Sequence, residues 1–180
     1  MNADGQTSHA ATPDDSPAAV ARAYFEVVGR RDLDAMESFY APGGIGEIHG
    51  LVTLRVPDSY REWFGSLFRA FPDFHMEIVD VLTDGGEKAA VHWRATGTFD
   101  GEGSFEGLVP NGRSVAVQGC DVLTIRDGRI HHNDAYMNGA EMARQLGALP
   151  PAGSPPERAL TALLNAKTKA TAWIAEQRKQ

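Results

Sequence analysis

Between Phe74 and Met137 the chain reads as successive extended runs separated by turns, with no helix-length amphipathic segment among them. Strands are expected over Phe74–Thr83, Lys88–Phe99, Ser114–Arg126 and Arg129–Met137, with a short extended piece at Ser104–Leu108. Asp84-Gly85-Gly86, the Gly-rich loop at Asp100–Gly103, Pro110-Asn111-Gly112 and the hairpin signal Asp127-Gly128 separate them. Connections this short leave no room for crossover helices, so the runs form an antiparallel meander. The alternating βαβ order of a dinucleotide-binding fold is excluded.

The helices come first in the chain. Ser16-Pro17 reads as an N-cap and first-turn proline, followed by the apolar stripe Val20, Tyr24 and Val27. Asp32 caps a second helix carrying Leu33, Met36, Phe39 and Tyr40, which Pro42-Gly43-Gly44 is expected to stop. Glu47–Arg55 is short and strand-like around Gly50. Pro57-Asp58 opens a third helix whose apolar residues Tyr60, Trp63, Phe64, Leu67, Phe68 and Phe71 stand at offsets 0, 3, 4, 7, 8 and 11. Helices followed by a meander make an α+β fold, with the helices on one face of a curved sheet. A short helix at Ala140–Leu146 and a linker at Leu149–Gly153 precede a last helix from Ser154. Leu160, Leu163, Leu164 and Ile174 lie on its apolar side beside Trp173. Its basic residues Lys167, Lys169, Arg178 and Lys179 suit a helix C-terminus, and it is expected to pack on the domain or on a second subunit. The expected division is a disordered tail at 1–15, one domain at 16–149, and a linker and helix at 150–180.

Composition narrows the partners. Among 180 residues, 17 Lys and Arg face 24 Asp and Glu, a formal charge of −7 that disfavours binding to nucleic acid. No apolar run approaches the roughly 20 residues of a membrane span, and the N-terminus lacks the basic and apolar regions of a secretory signal. Cys120 is alone, so no intrachain disulfide is available. A cytoplasmic protein is expected, with a hydrophobic small molecule as partner.

Several strings in order resemble the SnoaL-like polyketide cyclases of the nuclear transport factor 2-like superfamily. They are Tyr24-Phe25, Arg31–Ala35, Phe39–Pro42, Phe71–Phe74, Gly97–Phe99, Gly107–Arg113, Arg126–Ile130 and Gln145–Gly147. The resemblance covers about residues 18–149 and implies a cone-shaped α+β barrel, a strongly bent sheet wrapped around an apolar pocket. It also implies a homodimer and a cofactor-independent enzyme. The superfamily hosts cyclases, isomerases, dehydratases, epoxide hydrolases and non-catalytic binders, so the fold does not decide the reaction.

Strand alternation puts Ile130, His132, Asp134 and Tyr136 on one face of the last strand, expected to be the inner one. A carboxylate there would be driven toward neutrality by burial, which suits general acid/base work. Two hairpin registers are open. A three-residue bulged loop sets Cys120 opposite Asp134, and a two-residue turn sets Asp121 there. The resembled cyclases carry Gln, His and a catalytic Asp at spacings of two and then fourteen. Gln118, Cys120 and Asp134 stand at that spacing, with a thiol where the family has imidazole. Asp134, Gln118 and His132 are therefore the expected catalytic residues, and Tyr136, Cys120, Trp63, Phe64, Glu47 and His49 the expected substrate contacts. His92 is expected to point away from the pocket, and His75 and His131 to lie at the surface. No pair has His-x-x-x-His or Cys-x-x-Cys spacing, so no metal is expected. The reaction expected is aldol-type cyclisation or isomerisation of a polyketide-like carbonyl compound. One alternative is a non-catalytic or dimeric binding protein. Another is an epoxide or lactone hydrolase, although Arg94-Ala95-Thr96 lacks the acidic residue two positions on.

Overall fold

The computed structural model describes residues 14–177. The tail expected at 1–15 therefore falls almost wholly outside the described residues, as do Arg178, Lys179 and the side chain of Trp173. Helix α1 (Pro17–Arg30) is capped by Ser16, whose Oγ accepts the Ala19 N–H, and it ends where Arg31 turns left-handed. Asp32 caps α2 (Leu33–Ser38) in the same way. Tyr40 and Pro42-Gly43-Gly44 do not end a helix but lie inside strand β1 (Tyr40–Ile48), whose pairing slips between Tyr40 and Ile45. The glycines serve as an irregularity in a strand, where helical spacing of Phe39 and Tyr40 had suggested otherwise.

After β2 (Val52–Arg55) come α3 (Asp58–Ala70), β3 (His75–Thr83), β4 (Lys88–Phe99), β5 (Arg113–Arg126) and β6 (Arg129–Met137). Then follow α4 (Gly139–Gln145) and α5 (Pro155–Gln177). All six strands form one sheet in the order β2-β1-β6-β5-β4-β3. Every pairing is antiparallel except β1 with β6, which is parallel and brings the chain's first strand beside its last. This is the expected α+β architecture. Strand β4 alternates as read: Val91, Trp93 and Ala95 are buried, while His92, Arg94 and Thr96 are not.

Helix α1 packs across β3, β4 and β5, and α3 closes over β2. Two apolar clusters result, one around Tyr24, Met36, Trp93 and Leu123, the other around Phe71, Phe99, Phe105 and Leu146. Among the described residues, none of helix α5 joins either cluster. An Arg144–Glu157 ion pair of 2.9 Å ties its start to α4, and Leu160, Leu163, Leu164 and Ile174 stay exposed. No described helix is long and apolar enough to cross a membrane.

Candidate functional site

The site is decided by the β5–β6 hairpin. Asp127 and Gly128 both have left-handed φ, 51° and 69°, which makes the two-residue type I′ turn and pairs Arg126 with Arg129 and Ile125 with Ile130. The next pair is Thr124 with His132, so β6 carries one extra residue, a β-bulge. Beyond it Val122 faces Asp134, Asp121 faces Ala135 and Cys120 faces Tyr136. Neither register read from the sequence survives past the bulge. The phase of the strand is also exchanged. Ile130 points inward, but the inner residues that follow are Asn133 and Ala135, 5% and 9% exposed. His132 and Asp134 are only half-buried, and Tyr136 is 49% exposed. The face expected to line the pocket is therefore the outer one.

Inside the cone is an apolar cavity of about 120 Å³ between α1, α3 and the inner face of the sheet. Its wall includes Tyr24, Tyr40, Tyr60, Trp63, Phe64, Phe71, Trp93, Val117, Ala135 and Met137, with Glu47 also on it. Trp63 and Phe64 thus line the cavity. Asp134, Gln118, His132, Tyr136, Cys120 and His49 do not. An apolar cavity of this size accommodates a single ring, so a larger ligand must extend through the mouth.

The buried carboxylate on this wall is Asp121, 6% exposed. Trp93 Nε1 donates to its Oδ1 at 2.7 Å, and Asn133 Nδ2 donates to its Oδ2 at 2.7 Å. Burial pushes Asp121 up to about 6, against the two hydrogen bonds, and the charge of Asp134 adds to the rise. The indole reaches Asp121 because position 119 is glycine. A Cβ there would lie 2.3 Å from Trp93 and 2.5 Å from the Tyr136 carbonyl oxygen. Asn133 must turn its amide nitrogen to the carboxylate, which leaves Oδ1 buried without a partner on the cavity side of the strand. Three tyrosines complete the polar lining. Tyr24 and Tyr60 share a 2.7 Å hydrogen bond, and Tyr40 donates to Tyr24 at 3.4 Å. Burial raises all three phenols well above their ordinary value, so they remain protonated. Three O–H donors and two mutual bonds leave one donor over.

The residues expected in the pocket meet elsewhere. On the outer face His49 Nε2 lies 2.9 Å from Asp134 Oδ1, and His132 Nε2 lies 3.2 Å from the same oxygen. Glu47 Oε1 is 3.5 Å from His49 Nδ1, and the His49 ring stacks on Tyr136 at 4.3 Å. Partial burial works to raise the Asp134 carboxyl. The His49 hydrogen bond and the charge and hydrogen bond of His132 outweigh it and carry the group below its ordinary value. Gln118 is exposed and borders a shallow outer hollow with His75, Glu77 and Arg94. Cys120 is half-buried on that outer face, its thiol raised by burial and by Asp121.

A signal for Asp121 was present in the sequence. It interrupts the alternating inner set Val115, Val117, Gly119, Leu123 and Ile125 as the sole charged member. The spacing of two and fourteen, moved one residue onto the inner face, falls on Gly119, Asp121 and Ala135. The carboxylate then stands on β5 in place of the histidine, and its β6 counterpart is alanine.

Residues 18–146 match the sequence profile of the SnoaL-like polyketide cyclases. No curated protein sequence matches the chain. Among solved structures, AclR of Streptomyces galilaeus, described as a hydroxylase candidate, is similar with a TM-score of 0.64 and 20% identity over 90% of this chain and 96% of its own. A candidate SnoaL-like polyketide cyclase from Jannaschia sp. CCS1 gives 0.63 and 24%, over 73% and 90%. IdmH of Streptomyces antibioticus, a candidate polyketide cyclase, gives 0.61 and 21%, over 73% and 99%. At these identities the likeness is one of fold.

Proposed function

The chain belongs to the SnoaL-like polyketide cyclase family, and from that premise we propose acid/base catalysis on a largely apolar carbonyl compound, with Asp121 as the base. The observation that carries this reading is a buried carboxylate on the wall of a largely apolar cavity, with burial pushing it up to about 6. Such a group is mostly ionised at neutral pH yet a stronger base than a solvated aspartate. Trp93 and Asn133 fix its orientation and leave further lone pairs of each oxygen free.

Asp121 removes a proton next to a carbonyl. The C–H electron pair passes into an enolate, and the spare tyrosine O–H donates to the developing oxyanion. One such donor in a dry site is worth on the order of 3 kcal/mol. The carbanion then closes on a second carbonyl, and Asp121 returns its proton to the alkoxide, or to a different carbon when the outcome is isomerisation. Asn133 Oδ1 accepts a hydroxyl of the substrate, so an aryl ketone bearing an O–H is the favoured class.

The test is solvent-deuterium exchange at the α-carbon of a panel of hydroxyaryl ketones, followed by NMR. Wild-type protein accelerates exchange, and Asp121→Asn, folded by circular dichroism, does not. Equal exchange by both proteins would overturn the assignment. One observation favours a second reading, a non-catalytic binder: both oxygens of Asp121 already have protein partners. A ligand that raises the melting temperature saturably while no exchange or product forms would select that reading.

A further inference from the structure

We propose that the outer face of β1 and β6 holds a divalent transition-metal ion, ligated by Glu47, His132 and Asp134 and positioned by His49. The donor atoms of Glu47, His132 and Asp134 all lie within 4.8 Å of one another. Bonds of about 2.1 Å in a tetrahedral centre set ligands about 3.4 Å apart, so closing on an ion brings the donor atoms together by up to about 1.4 Å through side-chain rotation. At 29–38% exposure these side chains have that freedom.

The backbone dictates the gathering. Parallel pairing of β1 with β6 sets Glu47 beside Asp134 and Ile45 beside His132. The bulge turns His132 and Asp134 to the outer face, and the Glu47 carboxylate reaches the same cluster although the residue also borders the cavity. Two carboxylates side by side on one face of a sheet repel, and a cation between them removes that cost. His49 spans the pair, with Nδ1 3.5 Å from Glu47 and Nε2 2.9 Å from Asp134, and Tyr136 stacks on its ring. A ligating carboxylate held by an outer hydrogen-bond donor is the usual arrangement around a metal. One imidazole with two carboxylates suits zinc, nickel or manganese, and leaves coordination positions for water. The ion would clip the parallel pair together from the outer face of the sheet.

Metal-stripped full-length protein titrated with zinc chloride by calorimetry should bind about one ion per chain. His132→Ala and Asp134→Asn should each weaken binding about a hundredfold, and His49→Ala about tenfold, with His75→Ala unchanged. In the unmutated protein, the His132 Nε2 resonance should shift on adding zinc. Absence of binding by zinc, nickel and manganese would overturn the site. So would binding that His132→Ala and Asp134→Asn leave intact, or an unmoved His132 resonance at saturation.

Discussion

Asp121 and Asp134 sit on adjoining strands of one hairpin and have been driven in opposite directions. Asp121 faces the cavity, has an indole and an amide as partners, and is raised to about 6. Asp134 faces outward, has two imidazoles as partners, and is lowered. The residue type is the same; the difference lies in which side of the sheet it occupies. Neutral donors in a dry place leave a carboxylate basic, and ionisable donors at a wet surface make it a stable anion. Only the first environment suits proton abstraction.

The largest expected effect tests that assignment. Asp121→Asn should lower turnover about 10²–10⁴-fold, the usual share of a general base, while Gln118→Ala on the outer face costs less than about threefold. Steady-state kinetics on any turned-over ketone decides it, and similar losses in the two variants would erase the distinction between the faces. In the unmutated protein the rising limb of kcat/KM against pH should then centre near the value of about 6.

Stability gives the next contrast. The native state holds the Asp121 proton more tightly than the unfolded chain does, so its contribution favours folding at low pH. As pH rises from about 4 to about 6 that contribution is lost, on the order of 3 kcal/mol in all. Asp134, lowered, contributes in the opposite sense: its stabilisation is present above about pH 4 and fades as pH falls. Tyr40 and Tyr60, raised chiefly by burial, lie close enough for the charge of Asp121 to add to the rise, and with Tyr24 they stay protonated throughout this range. Urea unfolding of wild type and Asp121→Asn from pH 4 to 8 isolates the term. A flat difference would show that Asp121 is not the perturbed group.

Gly119→Ala should follow, at about 1–3 kcal/mol of lost stability, because the new methyl meets the Trp93 ring and a backbone carbonyl that cannot both retreat. Thermal denaturation measures this, and an unchanged midpoint would mean that Trp93 is not held as described. Trp93→Phe should cost a comparable amount, about 1–3 kcal/mol, since a buried carboxylate oxygen loses its donor and part of a buried ring is removed, with the kcat/KM limb moved to higher pH because a donor to the carboxylate is gone. A limb moved to lower pH would contradict that coupling.

The architecture was legible because it rests on local signals that agree with one another: the Ser16 and Asp32 caps, the aromatic period of α3, the Asp127-Gly128 turn. The site was legible in its ingredients but misassigned to a face. Alternation relates Asp134 to Ile130 only while each residue of β6 has one partner, and nothing in Arg129–Met137 announces the extra residue. The clustering of Glu47 with Asp134 was likewise hidden, since it comes from a parallel pairing between strands at opposite ends of the domain. Short-range spacing, whether His-x-x-x-His or the two-and-fourteen pattern, carries no information about such a meeting.

The bulge in β6 acts on side chains as an inserted nucleotide acts on a reading frame: every position downstream is read in the other phase while the letters stay the same. A strand of this kind holds two alternative inner sets, Asn133 with Ala135 and His132 with Asp134, of which the bulge presents the first to the cavity. Pairing the same residues without the bulge would present the second. Within this fold, the irregularity of one strand thus decides, at fixed sequence, which side chains meet the cavity.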